Sequence, residues 1–208
     1  MAEITTGLRS ILSIPAVYET FQRLLGSPAA QRDLVANYIR PHPGEALLDI
    51  GCGPGNLLRS LPDDLRYVGF DPNESYVKSA AERYGTRGSF FAGGIDDVDP
   101  ATLGTFDIVM AKSVLHHVDD RQAAEVFDVA ARVLKPGGRV ITLDNVYVDG
   151  QSRIARFLIS RDRGQHVRTR EGYEQLARAR FSTVETHIRH NRLRVPYTHI
   201  ILICRDPS

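Results

Sequence analysis

The sequence predicts a doubly wound α/β fold, a mostly parallel sheet with helices on both faces. Three observations carry this. Short apolar runs alternate with amphipathic stretches from residue 46 to residue 143. A glycine-rich turn follows the first of those runs directly. Two β-rich runs close the chain, near enough in sequence to pair antiparallel at a sheet edge. Alternation of this kind implies parallel strands covered on both sides.

Taken in order, Leu8, Ile11, Leu12, Ile14, Val17, Phe21, Leu24 and Leu25 suit one or two short amphipathic helices broken near Pro15. Residues 29–40 read as a further helix, stopped by Pro41-His42-Pro43-Gly44. Residues 46–50 are a buried strand, and the turn through Gly51, Gly53 and Gly55 leads to a short helix at Asn56 to Ser60. Strands follow at 67–70, 89–92, 106–111 and 140–143. Between them lie a helix from Asn73 to Tyr84 and another that Asp119 or Asp120 can cap. This second helix is expected to run to Leu134 and to end at Pro136-Gly137-Gly138. Beyond residue 150, Ile154, Phe157 and Leu158 mark a helix, and Thr169 can cap another. The runs 183–188 and 198–204 form the closing pair. One domain, 1–208, is expected: a helical cap (1–40), a core (41–145), then a helical insertion and the C-terminal strand pair (146–208).

A chain of 208 residues, 42% apolar and 25% charged, is long enough to bury a full sheet. No stretch approaches the ~20 apolar residues of a membrane span, and the N-terminus lacks the pattern of a signal peptide. Cys52 and Cys204 make neither a disulfide framework nor a zinc motif, so a cytoplasmic location is expected. Net charge is +1, but residues 1–150 carry 14 Lys/Arg against 20 Asp/Glu, and residues 151–208 carry 12 Arg against 5 Asp/Glu. Either the basic tail packs across the acidic part, or it meets an anionic acceptor or nucleic acid. Nucleic acid lacks the support of a dense basic run with interleaved aromatics.

Glycines let backbone approach a ligand closely, and the helix that follows offers free N–H groups. Asp71 lies twenty residues after Gly51, where a carboxylate can accept both hydroxyls of an adenosine ribose. Dinucleotide folds want Gly-x-Gly-x-x-Gly. Here the third position holds Asn56, and Asp49 sits inside the preceding strand.

The run Leu47-Leu48-Asp49-Ile50-Gly51-Cys52-Gly53-Pro54-Gly55 resembles the first motif of class I S-adenosylmethionine-dependent methyltransferases. Asp71 matches that family's ribose-binding acid. Phe106-Asp107-Ile108-Val109 with Val114-Leu115-His116-His117-Val118, and Leu134-Lys135-Pro136-Gly137-Gly138, resemble two later motifs in the family order. The resemblance implies a Rossmann-like, seven-stranded sheet with an antiparallel last strand. It also implies S-adenosyl-L-methionine as cofactor, S-adenosyl-L-homocysteine as product, and roles for particular residues. The backbone around Gly51, Gly53 and Gly55 would pack against the methionine part, Asp71 would hold the ribose with Pro72 against the adenine, and Asp49, Cys52 and Asn56 would also contact the cofactor. The acid often found after the third strand is replaced by glycine here, which passes that contact to Ile95 and Asp96 or to backbone. Ala111 would offer its carbonyl to the cofactor's amino group. Tyr18 resembles an aromatic that folds over the site; the alternative is a buried core tyrosine.

Methyl transfer asks the protein to position an acceptor and to remove its proton where needed. His117, Asp144 and His166 are the candidate catalytic groups. Lys112, His116, Asn145, Arg161, Arg163, Arg168, Tyr197 and His199 are candidates for lining an acceptor pocket. Asp144-Asn145 looks like part of the magnesium site of catechol-type O-methyltransferases. Lys112, however, occupies the place of a third ligand, so no metal is expected. The expected reaction is methyl transfer to oxygen or nitrogen of a small-molecule acceptor. The alternatives are a non-catalytic S-adenosylmethionine-binding regulator or RNA-associated module, and an NAD-dependent oxidoreductase. The sequence leaves the oligomeric state open.

Overall fold

A computed structural model of the chain describes residues 27–161, 164–190, 192 and 196–208. The helices expected over residues 8–25 lie outside these. Helix α1 (Ser27–Leu34) runs into a wider turn, Val35–Ile39, closed by Arg40 at φ 47°. The core then alternates: β1 (Ala46–Ile50), β2 (Arg66–Asp71), α2 (Glu74–Tyr84), β3 (Gly88–Ala92), α3 (Pro100–Leu103), β4 (Phe106–Lys112), α4 (Asp120–Val133) and β5 (Leu134–Asn145). Helices α5 (Arg153–Ser160) and α6 (Arg170–Arg178) lead into β6 (Phe181–His190) and β7 (Thr198–Pro207).

Two caps read from the sequence form: Asp119 accepts from Gln122 N at 2.9 Å and Thr169 from Gly172 N at 3.3 Å. Asn73, read as the first helical residue, caps α2 instead and accepts from Ser75 N at 3.0 Å. Each side-chain cap of this type contributes about 1 kcal/mol. The end of α4 differs from expectation. The helix stops at Val133, and Leu134 is already extended (φ −76°, ψ 129°) and paired with Phe106. The Pro136-Gly137-Gly138 segment is an irregularity inside β5, where the register shifts before Ile108 pairs with Arg139. Gly137 takes φ +75° there, and a Cβ on Gly138 would lie 2.9 Å from Asp107 O. These glycines let β5 bulge against β4 rather than cap a helix.

The seven strands run β3-β2-β1-β4-β5-β7-β6, parallel except for β7, which opposes both its neighbours. Alternation along the strands sorts side chains onto two faces. Leu47, Met110, Leu143 and Ile201 pack with Leu34, Tyr38 and Ile39 near α1. Leu48, Val109, Ile200 and Leu202 pack with Val126 and Phe127 of α4 and Tyr173 of α6. Among the described residues no helix is long and apolar enough to cross a membrane. From β1 the chain winds outward through β2 to β3, then returns to β4 on the other side. The crevice for a ligand therefore lies at the C-terminal ends of β1 and β4.

Candidate active site

The glycine turn sits at that crevice. Gly51, Gly53 and Gly55 have φ of 70°, 55° and 70°, which side chains disfavour. A Cβ on Gly51 would also lie 2.6 Å from Val114 Cγ2. At Gly53 no atom of the described residues lies within 4 Å of such a Cβ. Asp71 fixes the turn: Oδ2 accepts from Gly53 N at 2.9 Å and Oδ1 from Asn73 N at 2.9 Å. Pro72 is exposed beside it. Cys52 is buried and packs on Gly69, and burial pushes its thiol pKa up. The carbonyl of Asn56 is held by Gln31 Nε2 at 2.7 Å.

A polar row crosses the α1 face of the sheet at the same edge. Alternation places Asp49, Lys112, Asn145 and His199 on the face of Leu47, Met110, Leu143 and Ile201. The Tyr67 hydroxyl donates to Asp49 Oδ2 at 2.6 Å, and Asp49 Oδ1 has no partner among the described residues. Burial pushes Asp49 up to about 7, against the Tyr67 hydrogen bond and the charge of Lys112 and with the charge of Asp71. His199 is pushed down to about 3, chiefly by burial and then by the nearby cations Arg192 and Lys112. Tyr197 stacks on it with ring centroids 5.9 Å apart. Asn145 pairs with His199 in the sheet, and its carbonyl accepts from Tyr173 at 2.9 Å.

On the opposite face, His116 and Asp144 form a buried pair. Asp144 Oδ1 accepts from His116 Nδ1 at 2.7 Å and from the His116 backbone N at 3.2 Å. A carboxylate oxygen accepts, which puts a proton on Nδ1; in the neutral ring Nε2 then carries the lone pair. The His117 ring lies 4.2 Å from that of His116. Arg168 holds this turn as a clamp, donating to Leu115 O at 2.6 Å, Val118 O at 3.0 Å and His166 O at 3.0 Å, and pairing with Asp120 at 2.8 Å. His166 N donates to His116 O at 3.0 Å. A Cβ on Gly164 would lie 2.1 Å from His116 Cδ2.

The structure thus brings His116, Asp144, Lys112, Asn145 and His199 to one edge, and gives the other expected residues different duties. Asp144 is committed to His116 and not to Lys112. Arg168 is taken up by backbone carbonyls. Asp96 is exposed and bound to Arg121 at 3.0 Å and Gln122 at 2.8 Å, while Ile95 is buried beneath. Arg161 lies over the Phe157 ring at 5.3 Å. Ala111 is buried in β4 beside Ile50. Tyr18 and Arg163 lie outside the described residues. Sequence reasoning missed Arg192, between β6 and β7, whose guanidinium bonds Ala30 O at 2.6 Å and Asp33 at 3.5 Å. It also missed a hollow of about 560 Å³ between Tyr147 and α5, lined by Arg153, Arg156, Phe157 and Ser160.

Comparison with known proteins places this geometry. A sequence profile described as a methyltransferase domain matches residues 47–138. An uncharacterized methyltransferase of Geobacillus sp. (strain WCH70) is 26% identical over 152 residues, which is 70% of this chain and 71% of that protein. The 27-O-demethylrifamycin SV methyltransferase of Amycolatopsis mediterranei (strain S699) is 33% identical over 128 residues, covering 56% of this chain and 44% of that protein. Among solved structures, Haemonchus contortus phosphoethanolamine N-methyltransferase 2 in complex with S-adenosyl-L-methionine superposes with a TM-score of 0.68. It is 18% identical, over 86% of this chain and 52% of that one.

Proposed function

This chain belongs to the class I S-adenosylmethionine-dependent methyltransferases, and from that premise we propose that it methylates a small molecule held over the C-terminal ends of β4 and β5. The residues present fit the cofactor. Among the described residues the space beside Gly53 is open, Asp71 sits at the turn with its carboxylate on the Gly53 and Asn73 N–H groups, and Asp49 Oδ1 is a buried acceptor without a partner. Asp71 would take the ribose, Asp49 and the turn the methionine part, and the Ala111 carbonyl the amino group. When bound, S-adenosylmethionine supplies an electrophilic methyl group and leaves as S-adenosylhomocysteine.

The observation that carries the catalytic reading is the 2.7 Å contact between His116 and Asp144. His116 takes the role of general base in place of His117, because Asp144 fixes its tautomer and ring plane. Its Nε2 would accept the proton of an acceptor hydroxyl or amine as that group is methylated. Asp144 is then a positioning residue. Arg168 and His166 support the turn that carries the base. Asp144 Oδ1 is committed to His116, so the reaction is read as metal-independent.

Ion pairs of Arg168 with Asp120, Arg180 with Asp128 and Arg192 with Asp33 support a tail packed across the acidic part of the chain, leaving nucleic acid without a claim on it. The free, buried thiols of Cys52 and Cys204 support a cytoplasmic setting. The test is transfer of a radiolabelled methyl group to a panel of phenols, sugars and polyketides, with the His116→Gln chain as control. Acceptor-dependent labelling that the variant loses supports the reading. Labelling that the variant retains removes His116 from the chemistry.

A further inference from the structure

The α1 face of the sheet holds more positive charge than its neighbours satisfy. Lys112 ends β4, and among the described residues its ammonium has neither a hydrogen-bond acceptor nor an ion-pair partner. Asp49 attracts it from β1, and Arg192 repels it. The Arg192 side chain is only 8% exposed; one nitrogen serves Ala30 and Asp33, while the buried Nε has no partner among the described residues. His199 Nδ1 is likewise buried without one among the described residues. Lys112 and His199 lie two strands apart on one face, across β5, a separation of about 10 Å between strand axes. Buried donors left unmatched cost stability, and a fold retains them where something else completes them.

We propose that Lys112 and Arg192 form an oxyanion-binding end of the acceptor pocket, which takes a carboxylate, sulfate or phosphate group of the methyl acceptor, with His199 alongside. This deepens the function proposed above and rests on it. The cofactor also carries a carboxylate, but the glycine turn and Asp71 sit on β1 and β2, whereas Arg192 and His199 sit beyond β5. The charge therefore serves the acceptor side. His199 stays neutral among these cations, so it adds a ring donor without adding repulsion. Arg192 also bonds Ala30 and Asp33 of α1, so an anion bound here sits against the helical layer.

The test is calorimetric titration of the full chain, saturated with S-adenosylhomocysteine, using benzoate and inorganic phosphate as probes. At least one probe binds the wild-type chain in the millimolar range or tighter. Lys112→Met and Arg192→Met each weaken it by about tenfold or more, because each removes one charge of a desolvated contact. Lys112→Arg retains binding. Affinity for S-adenosylhomocysteine stays within about twofold in every variant. Lys112 has no hydrogen bond or ion pair among the described residues to lose, and burial of its ammonium outweighs the attraction of Asp49, so Lys112→Met also raises the melting temperature of the unliganded chain, an effect that a merely structural lysine would reverse. Failure of both probes on a chain that binds S-adenosylhomocysteine overturns this proposal and leaves the methyltransferase reading standing. A parallel loss of S-adenosylhomocysteine affinity in Lys112→Met overturns it too, by assigning the charge to the cofactor's carboxylate. A wild-type chain that binds no S-adenosylhomocysteine overturns the underlying reading instead.

Discussion

Asp71 holds the glycine turn closed: its Oδ2 accepts the Gly53 N–H at 2.9 Å while its Oδ1 accepts from Asn73. One carboxylate thus shapes the turn at the end of β1 and the start of α2 at once. A ribose contact alone would leave folding indifferent to its loss. Asp71→Ala should instead lower both S-adenosylhomocysteine affinity and stability, the latter by about 2–4 kcal/mol for two backbone donors left without an acceptor. Urea denaturation and calorimetry check this together. A denaturation midpoint equal to that of wild type would show that water replaces the carboxylate and that the clamp is unimportant.

The His116–Asp144 pair separates binding from chemistry. His116→Gln and Asp144→Leu should each lower turnover by about 10²–10⁴, the range of a positioned general base, with S-adenosylhomocysteine affinity unchanged. Asp144→Asn should fall between, because its carbonyl still accepts from Nδ1–H. Equal turnover in Asp144→Leu and wild type would count against any positioning role.

Arg168 holds three carbonyls and one carboxylate around the 115–118 turn. Arg168→Lys should not rescue Arg168→Met, since an ammonium cannot span that set of acceptors. Both should lose about 2–4 kcal/mol of stability, counting roughly 1 kcal/mol for each hydrogen bond. Thermal melts decide the point: a lysine variant as stable as wild type would reduce the clamp to a charge effect.

Stability should vary with pH through two groups of opposite sign. Asp49 has a folded pKa of about 7 and faces Tyr67, Lys112 and Asp71. Between about 4 and 7 the folded chain keeps a proton there that the unfolded chain releases, so this contribution falls as pH rises. His199 has a folded pKa of about 3 and faces Arg192, His116 and Lys112. Between about 3 and 6.5 the unfolded chain holds a proton that the folded chain lacks, so this contribution grows as pH rises. The two oppose each other in wild type. Asp49→Asn should leave the rising arm and His199→Gln the falling one, read as melting temperature from pH 4 to 7. Parallel profiles in the two variants would break the assignment.

The sheet was legible because each core strand is a short apolar run closed by turn residues, as with Ala46–Ile50 before Gly51, and because Asp119 and Thr169 are conventional caps. Pro136-Gly137-Gly138 misled, since the same residues that end a helix also build a bulge, and only the pairing of Leu134 with Phe106 decides between them. In the site, Asp49, Asp71 and Lys112 could be placed from strand ends alone. His116 and His117 are neighbours of one type, and only Asp144 arriving from β5 distinguishes them. Arg192 carried no local signal: it is one of many arginines in a polar segment, and α1 gives it its position from 159 residues away.

The most direct measurement is calorimetric titration of the purified chain with S-adenosylhomocysteine, with NAD as the control ligand. Micromolar binding of the first and none of the second is the result this account requires. A folded chain that ignores S-adenosylhomocysteine, or that takes NAD instead, would contradict it.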